Sequence, residues 1–154
     1  MKTHLKPGDK APYFSGIDQF GNTVSLDDFK GSKLVLYFYP KDNTPGCTAE
    51  ACSLRDGNVQ LLQQGYKIVG VSKDSVNSHK NFAEKYSLPF SLIADTDLKI
   101  MNDYGVWGEK KFMGRVTIGT IRTTFLISEE GIIEHVIDKV KTKEHAEQIL
   151  NLNL

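Results

Sequence analysis

The only two cysteines of the chain, Cys47 and Cys52, lie in the stretch YPKDNTPGCTAEAC. The residues ahead of Cys47 read as a helix entrance. Thr44 is a good N-cap, and Pro45 then falls at the first helical position, where proline is favoured. In this register Cys47 is the third helical residue. Its thiol faces unpaired backbone N–H groups and the positive end of the helix dipole, which together predict a pKa below about 8.5. A thiolate is the nucleophile that cleavage of an O–O bond requires. Thr44 can turn its hydroxyl toward the sulfur or toward a bound peroxide oxygen, and Gly46 lets a ligand approach the backbone closely. The alternative for Cys47 is a buried, inert cysteine acting as a small hydrophobe. Its place at a helix start beside a strand end, where α/β folds bind ligands, favours the reactive reading.

Cys52 lies five residues beyond Cys47. On an intact helix that separation is a rise of about 7.5 Å and a rotation of about 140°, so the two Cα atoms are roughly 8.7 Å apart. A disulfide needs about 4.4–6.8 Å. The pair can join only if the helix start unwinds. The expected sequence is oxidation of Cys47 to a sulfenic acid, melting of the first turns, and condensation with Cys52 to an intramolecular disulfide. Simple helix packing beside Leu54 is the alternative for Cys52. The spacing differs from that of a thioredoxin-like dithiol, which has two intervening residues. A zinc site takes about four ligands. His4, His79, His135 and His145 are scattered, so no metal site is expected. Nothing local suggests the partnered histidine of a cysteine protease.

The elements that must position these sulfurs alternate between strand and helix, which predicts an α/β fold. Residues 13–17 and 23–26 flank the turn 19–22 and read as a small hairpin. Residues 32–39 (SKLVLYFY) form a nearly continuous apolar run, suited to a central strand covered on both faces, and Pro40 ends it. A helix follows the loop 41–44. Leu54, Val59, Leu61 and Leu62 give it an apolar face, and Gly65 is its expected stop. Residues 66–72 are the second core strand, 75–86 a helix with Pro89 beyond it, and 91–94 a short strand. A short helix covers 97–104, capped by Asp95 or Thr96. Residues 123–128 and 132–137 flank Glu129-Glu130-Gly131 as a hairpin, and a last helix runs from 142 or 143 to 150. Residues 106–120 resist assignment and read as a long, functional or disordered loop.

With 154 residues, 40% hydrophobic and 25% charged, the chain is expected to form one globular domain over 1–154. Lys plus Arg and Asp plus Glu both number 19, and this balance argues against nucleic acid or an anionic membrane as a partner. Lys110, Lys111 and Arg115 read as a solvated loop. The N-terminus has no apolar run of signal-peptide length, and no segment reaches about 18 apolar residues. A cytoplasmic protein is expected, in which cysteines are more often reactive than structural.

Pro40, Thr44 and Cys47 fit the pattern P-x3-T-x2-C, which resembles the active-site signature of peroxiredoxins. The longer string FYPKDNTPGCTAEAC is similar to the bacterioferritin comigratory protein, or peroxiredoxin Q, subgroup. LKPGDKAPYF near the start and IRTTFLISEEGIIEHV near the end extend the likeness over almost the whole chain. The resemblance implies a thioredoxin-like fold, a central mixed β-sheet flanked by helices with an added N-terminal β-hairpin. It implies reduction of hydrogen peroxide and organic hydroperoxides with electrons from thioredoxin, and no metal, haem or flavin cofactor. By position, Cys47 is the peroxidatic cysteine and Cys52 the resolving one, Pro40 shields the site, Thr44 hydrogen-bonds to peroxide, and Arg122 is the active-site arginine. A fixed cation lowers a thiolate pKa, and its fork of donors can hold the peroxide.

Sequence alone leaves Arg122 open to reading as a surface charge at a strand start, with Arg115 as a competitor. Glu50 is either a partner of the arginine or an exposed helix acid. Trp107 and Phe112 either cover the site, form a reductant-docking surface, or pack in the core. Ser128 stands where the family often has Asp, away from the expected chemistry. An intramolecular resolving cysteine needs no second subunit, so a monomer is expected. A redox sensor and a general thiol–disulfide oxidoreductase are the competing functions. Steady-state turnover with a reductant separates the first from a peroxidase, and insulin reduction the second.

Overall fold

The computed structural model describes residues 2–152 of the chain. In chain order the strands and helices are β1 (Ser15–Ile17), β2 (Thr23–Ser25), β3 (Lys33–Phe38), α1 (Pro45–Asp56), α2 (Asn58–Gln63) and β4 (Tyr66–Ser72). Then come α3 (Val76–Tyr86), β5 (Ser91–Ala94), α4 (Lys99–Asp103), β6 (Trp107–Phe112), β7 (Arg115–Thr120), β8 (Thr123–Ile127), β9 (Ile133–Ile137) and α5 (His145–Asn151). Single 3-10 turns occupy Leu26–Phe29 and Thr142–Glu144.

Among the described residues, seven strands form one mixed sheet in the order β2-β1-β5-β4-β3-β8-β9. β3 pairs in parallel with β4 and antiparallel with β8, so the strand that leads into Cys47 is central. Its side chains alternate between two cores, as the pleat requires. Val35, Tyr37 and Tyr39 face one core with Leu54 of α1, Phe82 of α3 and Ile149 of α5. Leu34, Leu36 and Phe38 face the other with Ile100 and Met101 of α4, Tyr104 and Phe125. A strand buried on both faces reads as an unbroken apolar run, as 32–39 does. The N-terminal hairpin β1–β2 joins the same sheet through the pairing of Ile17 with Ala94 of β5.

Two expectations fail. The helix carrying the cysteines does not continue to Gly65 but is interrupted at Gly57, between α1 and α2. Gly57 faces α5 so closely that a Cβ there would collide with the Ala146 methyl. Leu61 is buried while Val59 and Leu62 are exposed, so the apolar face read through them is not one face. Residues 106–120 are not a loop. β6 and β7 form an antiparallel hairpin outside the main sheet, paired from Trp107 with Thr120 to Phe112 with Arg115. Its turn is Met113-Gly114, both at positive φ (51° and 80°), the geometry of the tight hairpin turns that match strand twist.

The short helix also starts later than read, at Lys99. Asp95 nevertheless serves its first turn, accepting from the N–H groups of Ile100 and Met101 at 3.1 and 2.9 Å. No helix among the described residues is long and apolar enough to cross a membrane.

Candidate active site

α1 begins at Pro45, which makes Cys47 its third residue as the local rules require. Thr44 has the extended N-cap backbone, and its carbonyl takes the first helical bond, from Thr48 N at 2.8 Å. Its hydroxyl does not cap the helix. It donates to the Lys41 carbonyl at 2.9 Å, which leaves the first turn without a side-chain acceptor.

Cys47 is buried, with 1% of the residue exposed. Arg122, entering from the start of β8, donates through Nη2 to Cys47 Sγ at 3.3 Å and through Nη1 to Glu50 Oε1 at 2.6 Å. One guanidinium thus bridges the sulfur and a carboxylate one helical turn further along α1. Gly46 permits this approach, since a Cβ there would lie 3.3 Å from Arg122 Nη2. The close approach expected of a ligand at Gly46 is therefore made by the arginine itself. Burial works against the Arg122 charge, but Glu50 and Cys47 outweigh it and hold the guanidinium above its ordinary range. Arg115 is exposed on β7, which excludes it as the cation at the sulfur.

Glu50 is not an exposed helix acid. Its side chain is fully buried, and burial pushes its carboxyl from 4.5 to about 7 against the pull of Arg122. Oε2 has no hydrogen-bond partner among the described residues. His145 Nε2 of α5 lies 3.6 Å away but does not form an ion pair with it. The ring's protonation follows from its neighbours. Gln148 is oriented by donating to the Lys139 carbonyl and accepting from Lys141 N–H. Its Oε1 therefore faces His145 Nδ1 at 2.9 Å as an acceptor, so the proton sits on Nδ1. Nε2 in turn accepts from the Thr124 hydroxyl at 2.8 Å. Burial lowers the imidazole from 6.5 to about 4, with Gln148 opposing and Arg122 adding to the shift, so the ring is neutral. The Tyr37 hydroxyl is likewise buried without a partner among the described residues. Burial first, then the charges of Glu50, Asp42 and Cys47, hold it well above its ordinary range.

The loop 41–44 that delivers Cys47 is pinned by a second buried network. Asp42 accepts from the Tyr39 hydroxyl at 2.6 Å and the Ser78 hydroxyl at 2.8 Å, and its N–H donates to Asp74 at 2.9 Å. His79 Nδ1 meets Asp42 Oδ2 at 2.7 Å, while Nε2 donates to the Ile93 carbonyl at 3.0 Å. Asp42, Asp74 and His79 are the one group among the described residues close enough to share a metal ion. Their polar atoms already serve one another and the loop, with both nitrogens of His79 engaged.

Pro40 ends β3 half-buried, and its carbonyl accepts from Lys73 Nζ at 3.4 Å. Cys52 lies half-buried on the same unbroken α1, and both cysteines are free thiols. Trp107 packs against the core that Tyr104 and Phe125 share. The Phe112 side chain lies outside the described residues. Lys110, expected in a solvated loop, is half-buried with its stem 3.5 Å from where a Cβ of Gly119 would be. Burial, and then the nearby Arg122 charge, lower its ammonium against the attraction of Cys47. Lys111 and Arg115 are exposed as expected.

The family resemblance, and no spacing rule, pointed to Arg122 as the cation beside Cys47, and sequence reasoning missed His145, Thr124 and the Asp42–His79 network. No local pattern marks them, because their partners lie far along the chain.

Known proteins resemble this chain over most of its length. The model of the AhpC/TSA family matches residues 7–136. Peroxiredoxin Bcp of Escherichia coli is 48% identical over 147 residues, covering 96% of this chain and 94% of that protein. Peroxiredoxin Bcp of Bacillus subtilis is 45% identical over 146 residues, covering 95% and 93%. Among solved structures, a mutant of Xylella fastidiosa PrxQ superposes with a TM-score of 0.91 at 34% identity, over 99% of this chain and 97% of that one. The bacterioferritin comigratory protein of Xanthomonas campestris, studied for its alkyl peroxide reduction activity, gives 0.84 at 37% identity over 90% and 88%. The mixed sheet with flanking helices is the thioredoxin-like fold that the resemblance implied. The chain belongs to the AhpC/TSA family, among its Bcp-type peroxiredoxins.

Proposed function

We propose that this protein is a thiol-dependent peroxidase that reduces hydrogen peroxide and organic hydroperoxides through Cys47. The observation that carries the reading is the Arg122 guanidinium, 3.3 Å from a sulfur at a helix N-terminus. Both features favour an anionic sulfur. The thiolate attacks the terminal peroxide oxygen, an S–O bond forms, and the O–O bond breaks. Arg122 follows the charge onto the leaving oxygen, since its fork of donors can serve sulfur and oxygen in turn. Pro40 shields the sulfur from bulk water. The Thr44 hydroxyl turns from Lys41 to the bound peroxide.

Cys52 then resolves the sulfenic acid. An intact α1 holds the two sulfurs' Cα atoms roughly 8.7 Å apart, so its first turns must open. The missing side-chain cap at Thr44 makes this opening easier, a cap being worth about 1 kcal/mol. Thioredoxin reduces the resulting disulfide. The whole cycle runs within one domain of a monomer, in the reducing cytoplasm.

The test is mass spectrometry of the reduced protein after one equivalent of hydrogen peroxide. A Cys47–Cys52 linkage is expected, with no reaction in Cys47→Ser. Oxidation that persists in Cys47→Ser would end the reading.

A further inference from the structure

Two anionic partners compete for one cation in this site. Arg122 touches Cys47 Sγ and Glu50 Oε1, and both partners are buried. An ionised Glu50 beside a thiolate would put two negative charges against a single guanidinium. Its second oxygen, Oε2, would remain without a donor among the described residues. Leaving a buried charged oxygen unserved is costly. His145 Nε2, 3.6 Å from Oε2, has no proton to offer, because Gln148 and Thr124 fix the ring with its proton on Nδ1.

We propose that Glu50 is the charge-compensating partner of Cys47, holding a proton while the sulfur is a thiolate and releasing it to become the counter-ion of Arg122 once the sulfur is oxidised. The inference rests on the peroxidase reading above and adds a role for a residue that never touches the peroxide. The carboxyl's midpoint of about 7 suits the role, since the proton is held loosely at neutral pH.

The step balances as follows. The thiolate attacks the hydroxyl-bearing oxygen of ROOH, and the sulfur is oxidised by two electrons to the neutral sulfenic acid. The O–O bond breaks, and the alkoxide leaves with the electron pair and takes up one proton from solvent. Glu50 gives up one proton to solvent. The site holds one cation and one anion before and after, which avoids an uncompensated buried charge at either stage. The groups facing Glu50 are Cys47 on its own helix, Arg122 at β8, Tyr37 of β3 and His145 of α5. Of these only the sulfur changes charge in the step.

Proton uptake during a single turnover tests this. The reduced full-length protein is mixed with one equivalent of hydrogen peroxide near pH 6.5 in weak buffer with a pH indicator, and oxidation is followed in parallel by mass. A thiolate with no compensating acid takes up about one proton per sulfur oxidised. The unaltered protein is expected to take up well below that, and Glu50→Gln close to the full proton. Equal uptake in the two would overturn the inference while leaving the peroxidase intact. Absence of any Cys47 oxidation would instead overturn the peroxidase reading. Should Glu50→Gln fail to fold, the oxidised-minus-reduced infrared spectrum of the unaltered protein decides. Loss of a protonated carboxyl band supports the inference, and unchanged carboxyl bands overturn it.

Discussion

Replacing Arg122 with methionine removes the cation bonded to the reacting sulfur and keeps most of the apolar stem. Two bonds disappear, to Cys47 Sγ at 3.3 Å and to Glu50 Oε1 at 2.6 Å. A hydrogen bond to a charged group is worth about 1.5–3 kcal/mol. A bare Coulomb sum at 3.3 Å and an effective dielectric of about 20 gives roughly 5 kcal/mol, which serves as a ceiling because the Arg122 side chain is 23% exposed. The lower range is therefore appropriate, and it converts to a fall of roughly 10- to 150-fold in the second-order rate constant with peroxide. Lysine should recover only part, since one ammonium cannot reproduce the two-pronged contact. Stability should fall less than the loss of a buried ion pair suggests, because burial already favours the protonated Glu50 carboxyl, which leaves no bare charge when the cation is gone. The assay is stopped-flow oxidation of the reduced protein at neutral pH, with Arg115→Met as the control. Arg115 is exposed on β7, so its loss should leave the rate within about twofold. An equal loss in both variants, or none in Arg122→Met, would refute the reasoning.

Further outcomes follow from the same geometry. Cys52→Ser should still oxidise once at Cys47 but lose thioredoxin-supported turnover, and Cys47 should pass on to sulfinic acid, seen by mass. In the unaltered protein, amide exchange over residues 45–55 should be faster in the disulfide form than in the reduced one, and equal protection would count against unwinding. Gly46→Ala places a methyl 3.3 Å from Arg122 Nη2, so the guanidinium must shift and the peroxide rate should drop several-fold with the fold intact by circular dichroism. Glu50 gives a pH signature in stability. Its folded value of about 7 lies above the 4.5 of the free carboxyl, so the folded state binds the proton more tightly. That stabilisation is complete below about 4.5 and is lost as pH rises through about 7, a difference of about 3 kcal/mol. Urea unfolding of the reduced protein from pH 5 to 8 should show this decline, and Glu50→Gln should flatten it.

The sequence by itself determined the local features of this protein. Residues 32–39 announce a strand covered on both faces, because such a strand has no polar side to show. Thr44, Pro45 and Cys47 place the sulfur in the first turn of a helix through rules that act over a few residues. Where those rules conflict with distant packing, tertiary structure decided. Gly57 is compatible with a continuing helix, and the approach of Ala146 of α5, which leaves no room for a Cβ there, is set only by tertiary packing. The hairpin 107–120 carries Gly108, Glu109, Lys110 and Lys111, which show little strand preference, and turns at a methionine with positive φ, so pairing overrode propensity. The choice of Arg122 over Arg115, and the burial of Glu50 beside it, depend on a contact between residues 72 positions apart. His145 joins them from α5 through a ring whose proton is placed by Gln148. No spacing rule reaches that far. Periodicity reports which face of an element is buried, whereas the partner waiting on that face is known only once the chain has closed.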